Sequence, residues 1–302
     1  MLKLVMVLLL VVAVSGSAQS AAPQKRPASA VPKYDLNIQL NPDAHRLAAT
    51  GTIQLPPASS AHESFELALS DRMHDFKVDS LEASGVAGLP ELTRKEESNE
   101  SVTWVVRPPK PVPVGQPVLI RFSYTGGEKD AFVFHLGPTS SFASGPSIAW
   151  YPAIGYADRR GIGTMRFSVP QGYTVIASGA SRGTPEQAAH GVFEFAVDLP
   201  AQLSFAAGTY TVIRRNGVVP VSAYVLHSRP NIQEYLDGCA RILAVLTEEF
   251  GPYPYGQFAI AEVPPDIAQN AGFGGASNPG FMLSSTTGLD SEFNLARISH
   301  QK

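Results

Sequence analysis

The 302-residue sequence contains a single cysteine, Cys239. No disulfide can form within the chain, so its stability has to come from a buried core. An excess of basic charge is also missing. Lysine and arginine number 23 against 26 acidic residues, for a formal charge of -3, and the cations are scattered, which leaves no footprint for nucleic acid. There is no internal repeat and no heptad array. The seven histidines stand at positions 45, 62, 74, 135, 190, 227 and 300, none near enough to another for a local two-histidine metal motif. Six of them read as exposed or structural. The acidic pairs Glu96-Glu97 and Glu248-Glu249 sit in polar or helix-end surroundings and read as solvated charge, not as a general acid and base.

Long apolar runs are absent too. The first, Leu4 to Val14, falls short of the roughly 20 residues that a membrane span takes. Small residues, Gly16-Ser17-Ala18, follow it, so residues 1–18 read as a secretory signal peptide cleaved after Ala18. The mature chain is then expected to be secreted or periplasmic, without a stable membrane anchor, and no cysteine follows the cleavage region to accept a lipid. A Pro/Ala/Ser-rich linker occupies residues 19–32.

What is present is a globular composition, 44% hydrophobic and 16% charged, arranged first with period two. YDLNIQL places Tyr34, Leu36, Ile38 and Leu40 on one face. SFELAL does so with Phe65, Leu67 and Leu69, and VLIRFSY with Val118, Ile120, Phe122 and Tyr124. Further strands are predicted over 102–106, 131–136, 165–169, 173–177, 192–197 and 203–207. Turn signals such as Pro56-Pro57 and Gly126-Gly127 separate such runs at the spacing of an antiparallel sandwich. RPPKPVPVGQP removes too many amide donors for a central strand and reads as a loop.

The period changes after Pro230. Ile232, Leu236, Cys239, Ile242, Leu243, Leu246 and Phe250 repeat every three to four residues, predicting a helix with Asn231 as its N-cap and Gly251-Pro252 as its stop. Cys239 within it reads as a small buried hydrophobe. A strand, Phe258 to Val263, a Gly-rich segment, NAGFGGASNPG, a second strand and the start of a last helix follow. The fold class is therefore mainly β, an antiparallel sandwich followed by an α+β unit, with a boundary near 214–217.

Gly272, Gly274 and Ser277 only loosely imitate a dinucleotide loop. No strand precedes them, and SNPGFML cannot open a helix. A serine-hydrolase elbow fails as well, because Pro279 stands where the last glycine of G-x-S-x-G belongs. A Gly-rich edge whose backbone approaches something closely remains.

Taken in order, SVPQGYTVIASG, LSFAAGTY, EEFGPYPYGQFAIAEVP, NAGFGGASNPG and ARISH resemble consecutive landmarks of the M1 aminopeptidase family, the gluzincin zinc metallopeptidases. The resemblance runs from about Tyr34 to the last residue. It implies an M1-type N-terminal β-sandwich over residues 33–215 and the start of a thermolysin-like catalytic domain over 216–302, with zinc as cofactor and a peptide as substrate. In that family the Gly-rich segment, G-x-M-E-N, is an edge strand beside the substrate whose glutamate binds the peptide's amino terminus, and a later helix carries H-E-x-x-H. The resemblance makes Gly274, Gly275, Ala276, Ser277 and Asn278 the substrate-binding strand and His300 the first zinc ligand.

Two positions depart from that pattern. Ser277 stands where the amine-binding glutamate belongs, and a hydroxyl cannot neutralise an ammonium group. Gln301 stands at the general-base position, and a neutral amide cannot take a proton from zinc-bound water. With the second histidine and the glutamate ligand lying past Lys302, the chain is expected to be an inactive N-terminal fragment, truncated within the zinc-binding helix. The alternative is a noncatalytic secreted β-sandwich that binds a partner.

Overall fold

The computed structural model describes residues 31–86, 88–98, 100–154 and 159–290. Its strands are, in chain order, β1 (Lys33–Asn41), β2 (Arg46–Leu55), β3 (Phe65–Ser70), β4 (Met73–Glu82), β5 (Glu91–Ser98), β6 (Ser101–Arg107), β7 (Val118–Gly126), β8 (Phe134–His135), β9 (Ser140–Ala143), β10 (Ala153–Ile154), β11 (Gly161–Ser168), β12 (Thr174–Ala177), β13 (Ala180–Ser181), β14 (Val192–Ala201), β15 (Phe205–Gly208), β16 (Thr211–Arg215), β17 (Val221–Val225), β18 (Phe258–Val263), β19 (Gly275–Asn278) and β20 (Phe281–Ser285). The α-helices are α1 (Pro185–Ala189), α2 (Ile232–Phe250), α3 (Pro265–Asn270) and α4 (Thr286–Asp290).

The strands form a seven-stranded sheet ordered β13-β14-β11-β1-β2-β7-β4, two four-stranded sheets, β10-β3-β6-β5 and β12-β15-β9-β8, and a five-stranded sheet, β16-β17-β18-β20-β19. The chain is mainly β, as its period-two segments predict. Strand β1 shows why. Its burial alternates residue by residue, sending Tyr34, Leu36, Ile38 and Leu40 into the core and leaving Lys33, Asp35, Asn37 and Gln39 to water. Pro42 then opens a tight turn in which Asn41 Oδ1 accepts the Ala44 amide, and His45 takes the left-handed conformation that aims the chain back along β2. Antiparallel pairing from Asn41↔Arg46 to Lys33↔Gln54 follows. On its other side β1 pairs parallel with β11, and the other described pairings in the first three sheets are antiparallel.

One core is shared by these three sheets. Its centre is aromatic: Trp150 meets Phe205, and Phe205 meets Phe167, with ring centroids 5.1 and 5.2 Å apart. The Trp150 indole N–H donates to the Leu203 carbonyl at 2.9 Å, so burial of that ring leaves no polar atom unpaired. Each such side chain contributes on the order of 1.5–3 kcal/mol by leaving water, the stabilisation that a chain without disulfides needs.

Strands β16 and β17, ahead of α2, open the last sheet, in which β17, β18 and β20 run parallel. Parallel neighbours need a crossover, and α2 supplies it between β17 and β18. Ile232, Leu236 and Leu243 pack on Val221, Ala223, Val225 and Ile260. The opposite face of the same sheet, with Ala259, Ala261, Phe281 and Leu283, joins the sandwich core. Gly251 ends α2 at φ +90, a conformation that glycine adopts without strain.

Several local expectations are corrected. Asn231 occupies the N-cap but makes no side-chain cap bond, because its φ of -93 and ψ of 6 already lie near the helical region. The segment 131–136 is a strand only at Phe134 and His135. Val133 at φ +51 and the Phe134 amide bonded to the Ala131 carbonyl make a tight turn there instead.

Candidate functional site

The Gly-rich segment forms the exposed rim of the five-stranded sheet. Helix α3 ends at Asn270 with Ala271 as its C-cap, Gly272 turns at φ +77, and the Phe273 amide bonds back to the Ala268 carbonyl. The chain then runs out as β19, paired antiparallel with β20 from Gly275↔Ser284 to Asn278↔Phe281. The Ser285 amide donates to the Gly274 carbonyl, which extends the ladder by one residue. Pro279 and Gly280 close the two-residue turn. Proline fixes the first corner and Gly280, at φ +87, the second. SNPGFML is therefore strand, turn and strand, as its proline requires, and not the opening of a helix.

Strand β19 has β20 on one side and no other described strand on the second. It brings Gly274, Gly275, Ala276, Ser277 and Asn278 together along one free edge. Gly274, Gly275 and Ser277 are exposed, while Ala276 and Asn278 are half-buried. A free strand edge offers a row of unpaired amides and carbonyls, the means by which an extended peptide is added to a sheet.

Alternation assigns each side chain of β19 a face. Asn278 and Ala276 point toward the sandwich, where Ser144 donates to Asn278 Oδ1 at 2.8 Å. The Val133 amide donates to the Ala271 carbonyl at 2.9 Å, and Phe142 meets Phe273 edge-on at 5.4 Å. These contacts fix the rim to the sandwich. Ser277 lies on the other face, in a row with Met282 and Ile260.

That second face carries a fully buried carboxylate, Glu262, which sits two residues along from Ile260. It accepts from Arg229 at 2.5 Å, the Leu226 amide at 2.7 Å and the Thr286 hydroxyl at 2.8 Å. Burial pushes its pKa up, but these donors and the Arg229 charge outweigh burial and hold it below the usual glutamate value. Three separate segments, the β17–α2 loop, β18 and the start of α4, thus meet on one carboxylate. The Tyr210 hydroxyl donates to the Glu262 carbonyl at 3.1 Å, tying the sandwich side to the same residue. Sequence reasoning missed this network. The available signal was a lone acid in FAIAEV, a strand apolar on both faces, where a charge has to find a partner.

His300 and Gln301 lie outside the described residues. Among the described residues no group of three or more His, Cys, Asp or Glu side chains is arranged to hold a metal. They do not by themselves make a zinc site.

No family model and no curated protein matches this sequence. Solved structures do. An M1 zinc metallopeptidase from Deinococcus radiodurans is 18% identical, with a TM-score of 0.63 over 84% of this chain and 60% of its own. A variant of it bound to a Tyr-Ser-Ala substrate gives 17% identity and a TM-score of 0.61, over 85% and 60%. Native leukotriene A4 hydrolase from Saccharomyces cerevisiae is 13% identical, with a TM-score of 0.64 over 88% and 43%. The fold is that of the M1 zinc metallopeptidases, and the chain spans less than two thirds of the length of these proteins.

Proposed function

We propose that this protein is the N-terminal part of an exported, M1-like zinc metallopeptidase of aminopeptidase type, in which β19 aligns an extended peptide by backbone hydrogen bonds. The observation that carries this reading is the free, exposed edge of Gly275–Asn278, fixed to the sandwich through Ser144. It is supported by a fold shared with peptidases, one of them bound to a peptide substrate. Residues 1–18 are the export signal and 19–32 the linker. On this reading 33–215 is the sandwich domain, its last strand, β16, pairing across the boundary with β17, and 216–302 begin the catalytic domain. Among the described residues no helix is long and apolar enough to cross a membrane.

His300 is the zinc ligand of this proposal and Gln301 fills the general-base position. A neutral glutamine at that position cannot take a proton from zinc-bound water. The protein therefore engages peptides without hydrolysing them. Calorimetric titration of the purified chain with zinc, alongside an assay of peptide cleavage, tests this. Peptide binding without turnover is expected, and turnover with zinc bound would overturn the inactive assignment.

A further inference from the structure

The face of the sheet under Ser277 says which peptides the β19 edge suits, if β19 is the peptide-aligning strand proposed above. A free peptide N-terminus carries an ammonium group, and a carboxylate in contact with it favours that charged form. On this face the fold supplies Glu262, and that carboxylate is taken. Arg229, the Leu226 amide and the Thr286 hydroxyl occupy its oxygens. It is wholly buried. It also sits opposite Ser284, which in turn sits opposite Gly275, so two strand spacings, about 10 Å, separate its backbone from the edge.

At the edge itself stands Ser277, exposed and uncharged. A hydroxyl gives one donor and two acceptor positions, which match an amide N–H or carbonyl. On the opposite face Asn278 is held by Ser144, so it does not turn toward an incoming amine. We propose that the β19 edge selects peptide segments without a charged N-terminus, either N-acylated ends or internal stretches, over free-amine termini.

The test compares two fluorescent peptides of one sequence, acetylated or free at the N-terminus, by anisotropy with the full chain. The acetylated peptide is expected to bind more tightly than the free one below the pKa of the α-amine. Its affinity is also expected to stay level across the titration of a free α-amine, near pH 7.7–8.0. Ser277→Glu restores a carboxylate at an exposed position and is expected to shift the preference about tenfold toward the free amine, a step of roughly 1.4 kcal/mol. A circular-dichroism melt confirms that this variant folds. Equal binding of the two peptides, or a wild-type preference for the free amine, overturns the inference and leaves the edge-strand reading standing. Failure of both peptides to bind overturns the edge-strand reading, and this inference with it.

Discussion

Ser144 and Asn278, 134 residues apart, are joined by a 2.8 Å hydrogen bond from the serine hydroxyl to the asparagine side-chain oxygen. Ser144 is buried, and its own amide donates to the Val133 carbonyl. The bond links a loop of the sandwich to the last residue of the edge strand. Clamping one face of β19 in this way leaves the outer edge free to pair.

Ser144→Ala is expected to loosen the rim and little else. Removing one partner of a half-buried bond costs about 0.5–1.5 kcal/mol. Amide exchange over 274–278 should rise by up to about tenfold, while β1 and β7 keep their protection. A uniform rise across the chain would show that the bond is not a local clamp.

Glu262→Gln should be far more costly. It leaves the Arg229 guanidinium, whose side chain is 7% exposed, beside a neutral amide, and breaking a buried pair costs about 3–5 kcal/mol. The native pKa of Glu262 is depressed, so its stabilisation is present above the ordinary glutamate value, about 4.3, and is lost as pH falls through the lower native value. Urea unfolding measured from pH 7 downward should show a steeper acid loss in wild type than in the variant. Adding Arg229→Met should recover part of the loss but not all, because glutamine keeps one acceptor oxygen, so either the Leu226 amide or the Thr286 hydroxyl faces its NH2 group.

The sequence made strands legible where one face is strictly apolar, as in Tyr34 to Leu40 or Val118 to Tyr124, because burial alone sets period two there. Strand β2 was obscured because two small residues, Ala49 and Gly51, interrupt its inward row of Leu47, Ile53 and Leu55. In β4 two register shifts, between His74 and Lys77 and between Val78 and Ser80, break the alternation that a reader would follow. Strand β16 has no fully buried position, and β17 alternates through the small residues Ser222 and Ala223, so neither shows a strong apolar stripe. The rim itself was legible, since Gly272 and Pro279-Gly280 mark its ends. Its anchor was not, because a contact between Ser144 and Asn278 leaves no local trace in either segment. Glu262 and Arg229 are likewise 33 residues apart, and only the fold pairs them.

Gly163→Ala should damage the junction of β1 and β11. Gly163 sits at φ +131, beside a register shift in β11. A Cβ there would lie 1.8 Å from the Tyr34 carbonyl oxygen, so the parallel pair has to part. The expected cost exceeds about 3 kcal/mol in urea unfolding. Gly85→Ala is the control. Its φ is also positive, but nothing lies within 4 Å of the added carbon, so the backbone strain alone, about 1–2 kcal/mol, should register. Equal costs at the two sites would remove the steric explanation.

Cys239 offers a check on the packing of α2. It lies on the flank of the helix stripe that covers β17 and β18, against the smaller core, and burial pushes its thiol up to about 11. Only the thiolate attacks a disulfide reagent, so an ordinary cysteine near 8.5 is more reactive at pH 8 by roughly a hundredfold. Labelling of the native chain should therefore be slower than that of the chain in guanidinium by about two orders of magnitude. The native rate should rise tenfold for each pH unit from 8 to 10, as the thiolate fraction grows. Rapid native labelling at pH 8 would show that the partly exposed sulfur is not held as a thiol by its surroundings on α2, and the burial argument for its raised pKa would fail.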